Sequence, residues 1–96
     1  MENVKEKTLN KTAEAFKALA DRTRLKIVLN LIEGEKCVHE IAETTEQNIS
    51  NVSHHLRKLR DKRLIDYRKE GRHKIYYIVD EHVLKITKEG INHGKE

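Results

Sequence analysis

The stretch SNVSHHLRKLRDKRLIDYRKEGRHKIYYIVD, residues 50–80, changes its hydrophobic period part-way along, and that change decides the fold. Val52, Leu56 and Leu59 recur at helical spacing behind Asn48, a residue type that caps helix N-termini, so the first part reads as a helix with one apolar stripe. From residue 65 the period shortens. Ile65 and Tyr67, then Ile75, Tyr77 and Val79, read as the alternating positions of two strands joined near Glu70-Gly71-Arg72, where glycine supplies the turn conformation.

Working outward, Val38, Ile41 and Ala42 predict a short helix over roughly 38–44, and a turn over Thr44–Gln47 separates it from the capped helix. Asp21 caps an earlier helix in which Leu25, Val28, Leu29 and Ile32 are expected to be buried and Gly34 is the stop. Leu9, Ala13, Phe16, Leu19 and Ala20 give a first helix from about 8 to 20, and residues 81–94 read as a closing helix. The expected fold is mainly α with a β-hairpin wing. It is a winged helix-turn-helix in one unit spanning 1–96, with the helix-turn-helix at about 38–63, the wing at about 65–79 and dimerisation through the terminal helices.

Charge follows the same division. Residues 1–48 hold eight Lys/Arg against nine Asp/Glu, whereas residues 49–74 hold nine against three. A solvated charged face is the plain reading of such a run, but a concentration of positive charge on a helix and the hairpin after it fits a phosphate-backbone footprint. With Val52 as the buried centre, Ser53 is rotated by about 100° and His54 by about 200°, so both point away from the core, as do Ser50 and Arg57. The expected DNA-facing set is Ser50, Ser53 and His54 toward base edges with Ile49 beside them, Arg57 and Lys58 toward phosphates, and Lys69, Arg72 and His73 on the wing. His55, beside the apolar stripe, reads as a partly buried histidine. The expected partner is double-stranded operator DNA, with an inverted repeat matching a homodimer.

At 96 residues, 36% hydrophobic and 38% charged, the chain has a core that is marginal alone, and dimerisation is a natural remedy. No apolar run approaches membrane-spanning length, and the polar start MENVKEKTLNKT does not read as a signal peptide. One cysteine excludes an intrachain disulfide and fits the cytoplasm.

The last segment carries Asp80, His82, His93 and Glu96, four good zinc ligands in the pattern D-x-H-x10-H-x2-E. On a helix, His82 and His93 return to within about 20° of one face but lie roughly 16 Å apart along the axis, too far for one ion with ligands about 2 Å away. Two antiparallel copies related by a two-fold axis would bring Asp80 and His82 of one subunit to His93 and Glu96 of the other. Gly90 would let the helices approach, and Ile86 shares the histidine face. Each residue also has a bland reading: Asp80 as an N-cap, His93 at a helix C-terminus, Glu96 in a frayed tail. A filled shell of four protein ligands leaves no open position for substrate, which disfavours a zinc hydrolase and predicts no enzymatic activity.

Phe16–Val79 resembles the ArsR/SmtB family of metal-sensing winged-helix repressors, through FKALADRTRLKIVLNL, CVHEIAE, SNVSHHLRKLRDKRLI and the hairpin ending KIYYIVD. The ligand pattern resembles the carboxyl-terminal helix site of the zinc-sensing branch. The resemblance implies Zn(II) as allosteric effector at Asp80, His82, His93 and Glu96, with Co(II) or Ni(II) as substitutes. It implies that the metal-free dimer holds its operator and that zinc releases it, switching on efflux or sequestration genes.

Two departures stand out. Many relatives carry Leu-Ser-Gln-Ser entering the recognition helix where this chain has Gln47-Asn48-Ile49-Ser50, and Ile49 cannot make a glutamine's hydrogen bonds, so operator sequence does not transfer. The thiolate-rich site of the arsenic, cadmium and lead sensors is missing, because the segment here is Cys37-Val38-His39 with no second cysteine. Three alternatives stay open: a second site using Cys37, His39 and Glu40, a repressor with another signal such as oxidation of Cys37, and a zinc-binding dimer without DNA function.

Overall fold

The computed structural model describes residues 3–96, so the first two residues of the stretch MENVKEKTLNKT and of the expected 1–96 unit lie outside the described residues. The elements in order are α1 (Glu6–Leu19), α2 (Arg22–Glu33), β1 (Lys36–Cys37), α3 (Val38–Thr45), α4 (Ile49–Asp61), β2 (Ile65–Glu70), β3 (His73–Ile78) and α5 (Glu81–Gly94). The three strands form an antiparallel sheet in the order β1-β3-β2.

Local chemistry sets the boundaries of the helix-turn-helix. Glu46 ends α3 in the left-handed conformation, at φ 57°, with its backbone N–H on the carbonyls of Ala42 and Glu43. Asn48 then opens α4 by accepting the Asn51 N–H at 2.7 Å. At the far end Arg63 is left-handed, at φ 59°. The Leu64 N–H bonds the Leu59 carbonyl at 3.1 Å, and the Arg63 N–H bonds the Arg60 carbonyl at 2.9 Å. Those two bonds make a Schellman motif with arginine in the position that glycine usually takes. Buried Leu59 and Leu64 supply its apolar contact, which offsets the left-handed strain and launches β2 directly from α4.

Ile27, Val28, Ile41, Val52, Leu56, Leu59 and Ile65 are the largest fully buried side chains. They bring α2, α3, α4 and β2 onto one core, with Ala18 and Leu19 closing it from α1 and Val83 from α5. Burial of each such side chain contributes about 1.5–3 kcal/mol. On α2 the inward face is Ile27, Val28 and Leu31, while Leu29, expected inside, is 36% exposed. It lies about 100° from Val28, a turn that carries it past the edge of the core.

The wing corrects the strand reading. Ile65 stands opposite Ile78 and Tyr67 opposite Tyr76, so the core-facing positions of β3 are Tyr76 and Ile78 rather than Ile75, Tyr77 and Val79. Adjacent tyrosines make either register plausible from sequence, and pairing with buried Ile65 selects this one. Gly71, at φ 63°, takes the first of two turn positions between Glu70 and His73, the place a type II′ hairpin reserves for glycine. The β1 strand, which pairs Lys36 with Tyr76 and Cys37 with Ile75, is too short to carry a period and was not anticipated.

Both terminal helices leave apolar side chains outside this core: Leu9 and Phe16 on α1 are each 51% exposed and Ile86 on α5 is 43% exposed. Leu56→Ala, which truncates a side chain with no exposure on the inward face of α4, is expected to lower the free energy of unfolding by about 2–5 kcal/mol in urea titrations.

Candidate nucleic-acid interface and metal-ligand helix

Because Val52, Leu56 and Leu59 face the core, α4 presents Ser50, His54 and Arg57 outward at helical spacing. Ile49 stands 44% exposed in the first turn. Gln47 braces the turn before it, accepting from Asn51 Nδ2 at 2.6 Å. Ser53 is half-buried on the flank of α4 nearer the wing. Lys58 lies on the opposite flank, in a cleft with Glu14, Lys17 and Arg24. The expected DNA-facing residues of α4 thus share one solvent face with two shoulders.

The wing carries Lys69, Arg72 and His73 exposed around its Gly71 turn. Ion pairs thin the basic stretch. Arg68 bonds Glu35 at 2.7 Å and Glu70 at 2.8 Å, Arg60 bonds Asp66 at 2.9 Å, and Lys62 lies 3.8 Å from Glu14. Arg57, Lys58, Arg63, Lys69, Arg72 and Lys74 make no ion pair among the described residues. Between α4 and the wing runs a groove of about 390 Å³ whose lining includes Arg57, Arg60, Arg72, Lys74, Tyr67 and Tyr76, with the Arg60 and Lys74 cations over the Tyr67 ring. Arg60, Lys74 and Tyr67 were absent from the expected set. Only the hairpin register, with Lys69 opposite Lys74, reveals which side of the strand each cation lies on.

The closing helix begins where expected, with Asp80 as its cap accepting the Val83 N–H at 3.0 Å. Val83 and Thr87 turn inward, whereas His82, His93 and Glu96 are exposed. No three His, Cys, Asp or Glu side chains gather into a metal-holding group among the described residues. Cys37, His39 and Glu40 of the alternative site lie at the start of α3. Glu40 Oε1 accepts the Cys37 N–H at 3.0 Å in a capping box, which holds its carboxyl below the usual carboxylate range.

Residues 21–67 match the family described as bacterial regulatory protein, arsR family. The chain is 42% identical over 85 residues to a cadmium resistance transcriptional regulatory protein CadC homolog of Staphylococcus aureus, covering 88% of this chain and 70% of that protein. The chain belongs to the arsR family. It is also 42% identical over 84 residues to a transcriptional repressor SmtB homolog of Synechocystis sp., covering 88% of this chain and 64% of that one. Its fold matches the homodimeric winged helix-turn-helix DNA-binding domain of a possible ArsR-family regulator from Mycobacterium bovis, with a TM-score of 0.87 and 30% identity over 100% of this chain and 92% of that domain. Members of the arsR family are transcriptional regulators, not enzymes.

One polar cluster in this arsR-family chain ties the recognition helix to the helices behind it. Arg24 donates through Nε to the Ala18 carbonyl at 2.6 Å, and its Nη1 lies 3.3 Å from His55 Nδ1. Asp21 caps α2 on the Arg24 N–H at 3.0 Å, and its Oδ2 is 3.9 Å from the same imidazole nitrogen. Burial lowers the His55 pKa below the ordinary histidine value. The nearby Asp21 carboxylate opposes this and the Arg24 guanidinium reinforces it. A donor facing Nδ1 at the shorter distance fits the neutral ring with its proton on Nε2.

A histidine whose folded pKa is depressed binds its proton more readily in the unfolded chain. The stability it contributes is therefore complete above the unfolded value of about 6.5 and is lost as pH falls toward the folded value. Between pH 7 and pH 5 the unfolding free energy is expected to fall more steeply in the wild type than in His55→Gln, as measured by urea titrations at a series of pH values.

Proposed function

We propose that this protein is a dimeric transcriptional repressor that holds operator DNA in its metal-free form and leaves it on binding Zn(II), derepressing metal efflux or sequestration genes. The observation that carries this reading is α5 itself. It exposes His82 and His93 eleven positions apart on one face, with Asp80 and Glu96 at its two ends. The histidine face also carries exposed Ile86, and the space around Gly90 is open within the protomer. A single α5 cannot close a metal shell at that spacing. A second α5 running antiparallel would complete two equivalent sites and cover Ile86 at the same time. Leu9 and Phe16 on α1 offer further apolar area to the same partner.

The donors suit zinc. Two imidazoles and two carboxylates are of borderline to hard character, and a lone cysteine denies the soft cage that would favour larger thiophilic ions. One CadC-named relative is a cadmium resistance regulator, and the departure from it rests on this donor set. In the dimer, Asp80 would use the carboxylate oxygen not engaged with Val83, and His93 would pass strain inward through its second ring nitrogen. Bound Zn(II) would supply a closed tetrahedral crosslink between the terminal helices. Fixing those helices fixes the angle between the two α4 helices, and release follows when that angle mismatches two half-sites about one helical turn apart.

On the DNA, Ser50, Ser53 and His54 would reach base edges, with Ile49 against a thymine methyl group, while Arg57, Lys58, Lys69 and Arg72 would meet phosphates. The test mixes His82→Ala subunits with His93→Ala subunits. In the resulting heterodimer one site loses both histidines and the other keeps both, so it is expected to bind one Zn(II) tightly. Each homodimeric variant is expected to lose tight binding at both sites and to resist Zn(II)-driven release from duplex DNA. Calorimetry on the heterodimer that finds no tight site would sink the intersubunit arrangement.

A further inference from the structure

We infer that the groove between α4 and the wing seats a phosphodiester of the DNA backbone, gripped by Arg60 and Lys74, with Tyr67 as the residue that positions both. The inference rests on the DNA-binding reading above and adds a site to it. The groove is lined by Arg57, Arg60, Arg72 and Lys74 with His73 beside them, and no carboxylate is among its lining residues. Such a concave surface, lined by cations of which, among the described residues, only Arg60 carries an ion pair, to Asp66 outside the groove, favours an anion.

Tyr67 organises it. The Arg60 guanidinium carbon lies 4.5 Å from the Tyr67 ring centroid and the Lys74 ammonium lies 4.7 Å from the same centroid. Contacts of this kind hold a cation by the ring quadrupole without neutralising it. Lys74 is the diagonal cross-strand neighbour of Tyr67, because Tyr67 pairs with Tyr76, and this contact draws it away from Lys69, the like charge directly opposite. Arg60 is steadied from its other side by Asp66, whose Oδ1 accepts from Nε at 2.9 Å and also from the Tyr67 N–H at 2.7 Å. That bond uses only Nε and leaves both terminal guanidinium nitrogens as donors, and Asp66 itself stays outside the groove.

The position of the groove identifies the anion. In duplex DNA, one phosphate strand separates a major groove from the adjacent minor groove. With α4 in the former and the wing tip at the latter, the surface between them meets that strand. Two cations already aimed and partly immobilised give up little freedom when they meet it, which a flexible pair of surface lysines would not achieve.

The experiment uses the full chain and a fluorescein-labelled duplex of mixed sequence, reading affinity by anisotropy across a salt series. Lys74→Gln and Arg60→Gln are each expected to reduce the magnitude of the salt slope by roughly 0.9 for each phosphate no longer neutralised, hence about twice that per dimer. Tyr67→Leu is expected to reduce it likewise, and Tyr67→Phe, which keeps the ring, to retain the wild-type slope. Unchanged slopes in both glutamine variants would overturn the assignment, as would a Tyr67→Phe slope equal to that of Tyr67→Leu. If Tyr67→Leu fails to fold, the two exposed glutamine variants decide the question alone. Inorganic phosphate at constant ionic strength is expected to leave DNA affinity unchanged. Competition by free phosphate would assign the groove to a small phosphorylated ligand and overturn the backbone reading. A wild-type protein that binds no duplex at any salt would instead refute the DNA-binding reading itself, an outcome separable from all the others.

Discussion

Burial of Val52, Leu56 and Leu59 fixes the rotation of α4 about its own axis, and the placement of every other surface feature follows from that rotation. A helix with three inward positions at i, i+4 and i+7 has no freedom to roll, because a shift of one residue would expose two large side chains that now have no exposure at all. Ser50, His54 and Arg57 consequently share the solvent face, and Arg60 falls on the flank nearer the wing. Leu59 serves twice, since its carbonyl closes the Schellman turn that sends the chain into β2. The angle between recognition helix and wing is thus set by the packing that also holds α4 in place.

Charge on this frame is sorted by its partners more than by its abundance. Nine cations between residues 49 and 74 suggest a broad positive surface. Arg68, bridged to Glu35 and Glu70, instead works as a strut between the wing and the segment before β1. Exposed ion pairs of this kind contribute little stability, and their effect here is geometric. The cations without such partners gather along α4, at the hairpin turn and in the groove between them. The surface of unpaired cations is therefore narrower than the composition implies and continuous from helix to wing.

Legibility in the sequence tracked how many independent signals each element carried. The α4 helix had a cap, a stripe and a polar face, and Asn48, Val52 and Leu56 stand where those signals put them. The closing helix was legible for the same reason, with Asp80 as cap and Glu81–Gly94 as its span. The inward face of β3 is not legible, because IYYIV is apolar in both phases and only pairing with β2 distinguishes them. The two residues of β1 are too few for any period, and the left-handed turns at Glu46 and Arg63 carry none of the glycine that usually marks them. The cation contacts of Tyr67 depend on cross-strand register and were invisible for that reason. The ligand pattern of α5 is legible only as spacing, and its closure by a second copy of the chain is part of the proposed function.

The two surfaces that the proposed function needs lie on different helices, so they communicate through what separates them. Helix α2 touches α3, α4, α5 and the sheet, which makes it the common support of the α4 face and the α5 face. Arg24 on α2 binds the end of α1 through Ala18 and reaches α4 through His55, a polar brace on the side of α4 away from the groove. Val83 joins α5 to the same core, so a crosslink between paired α5 helices would act on each lobe through α2. Each α2–α3–α4–wing lobe would then move as a rigid body, because its elements share one close-packed core.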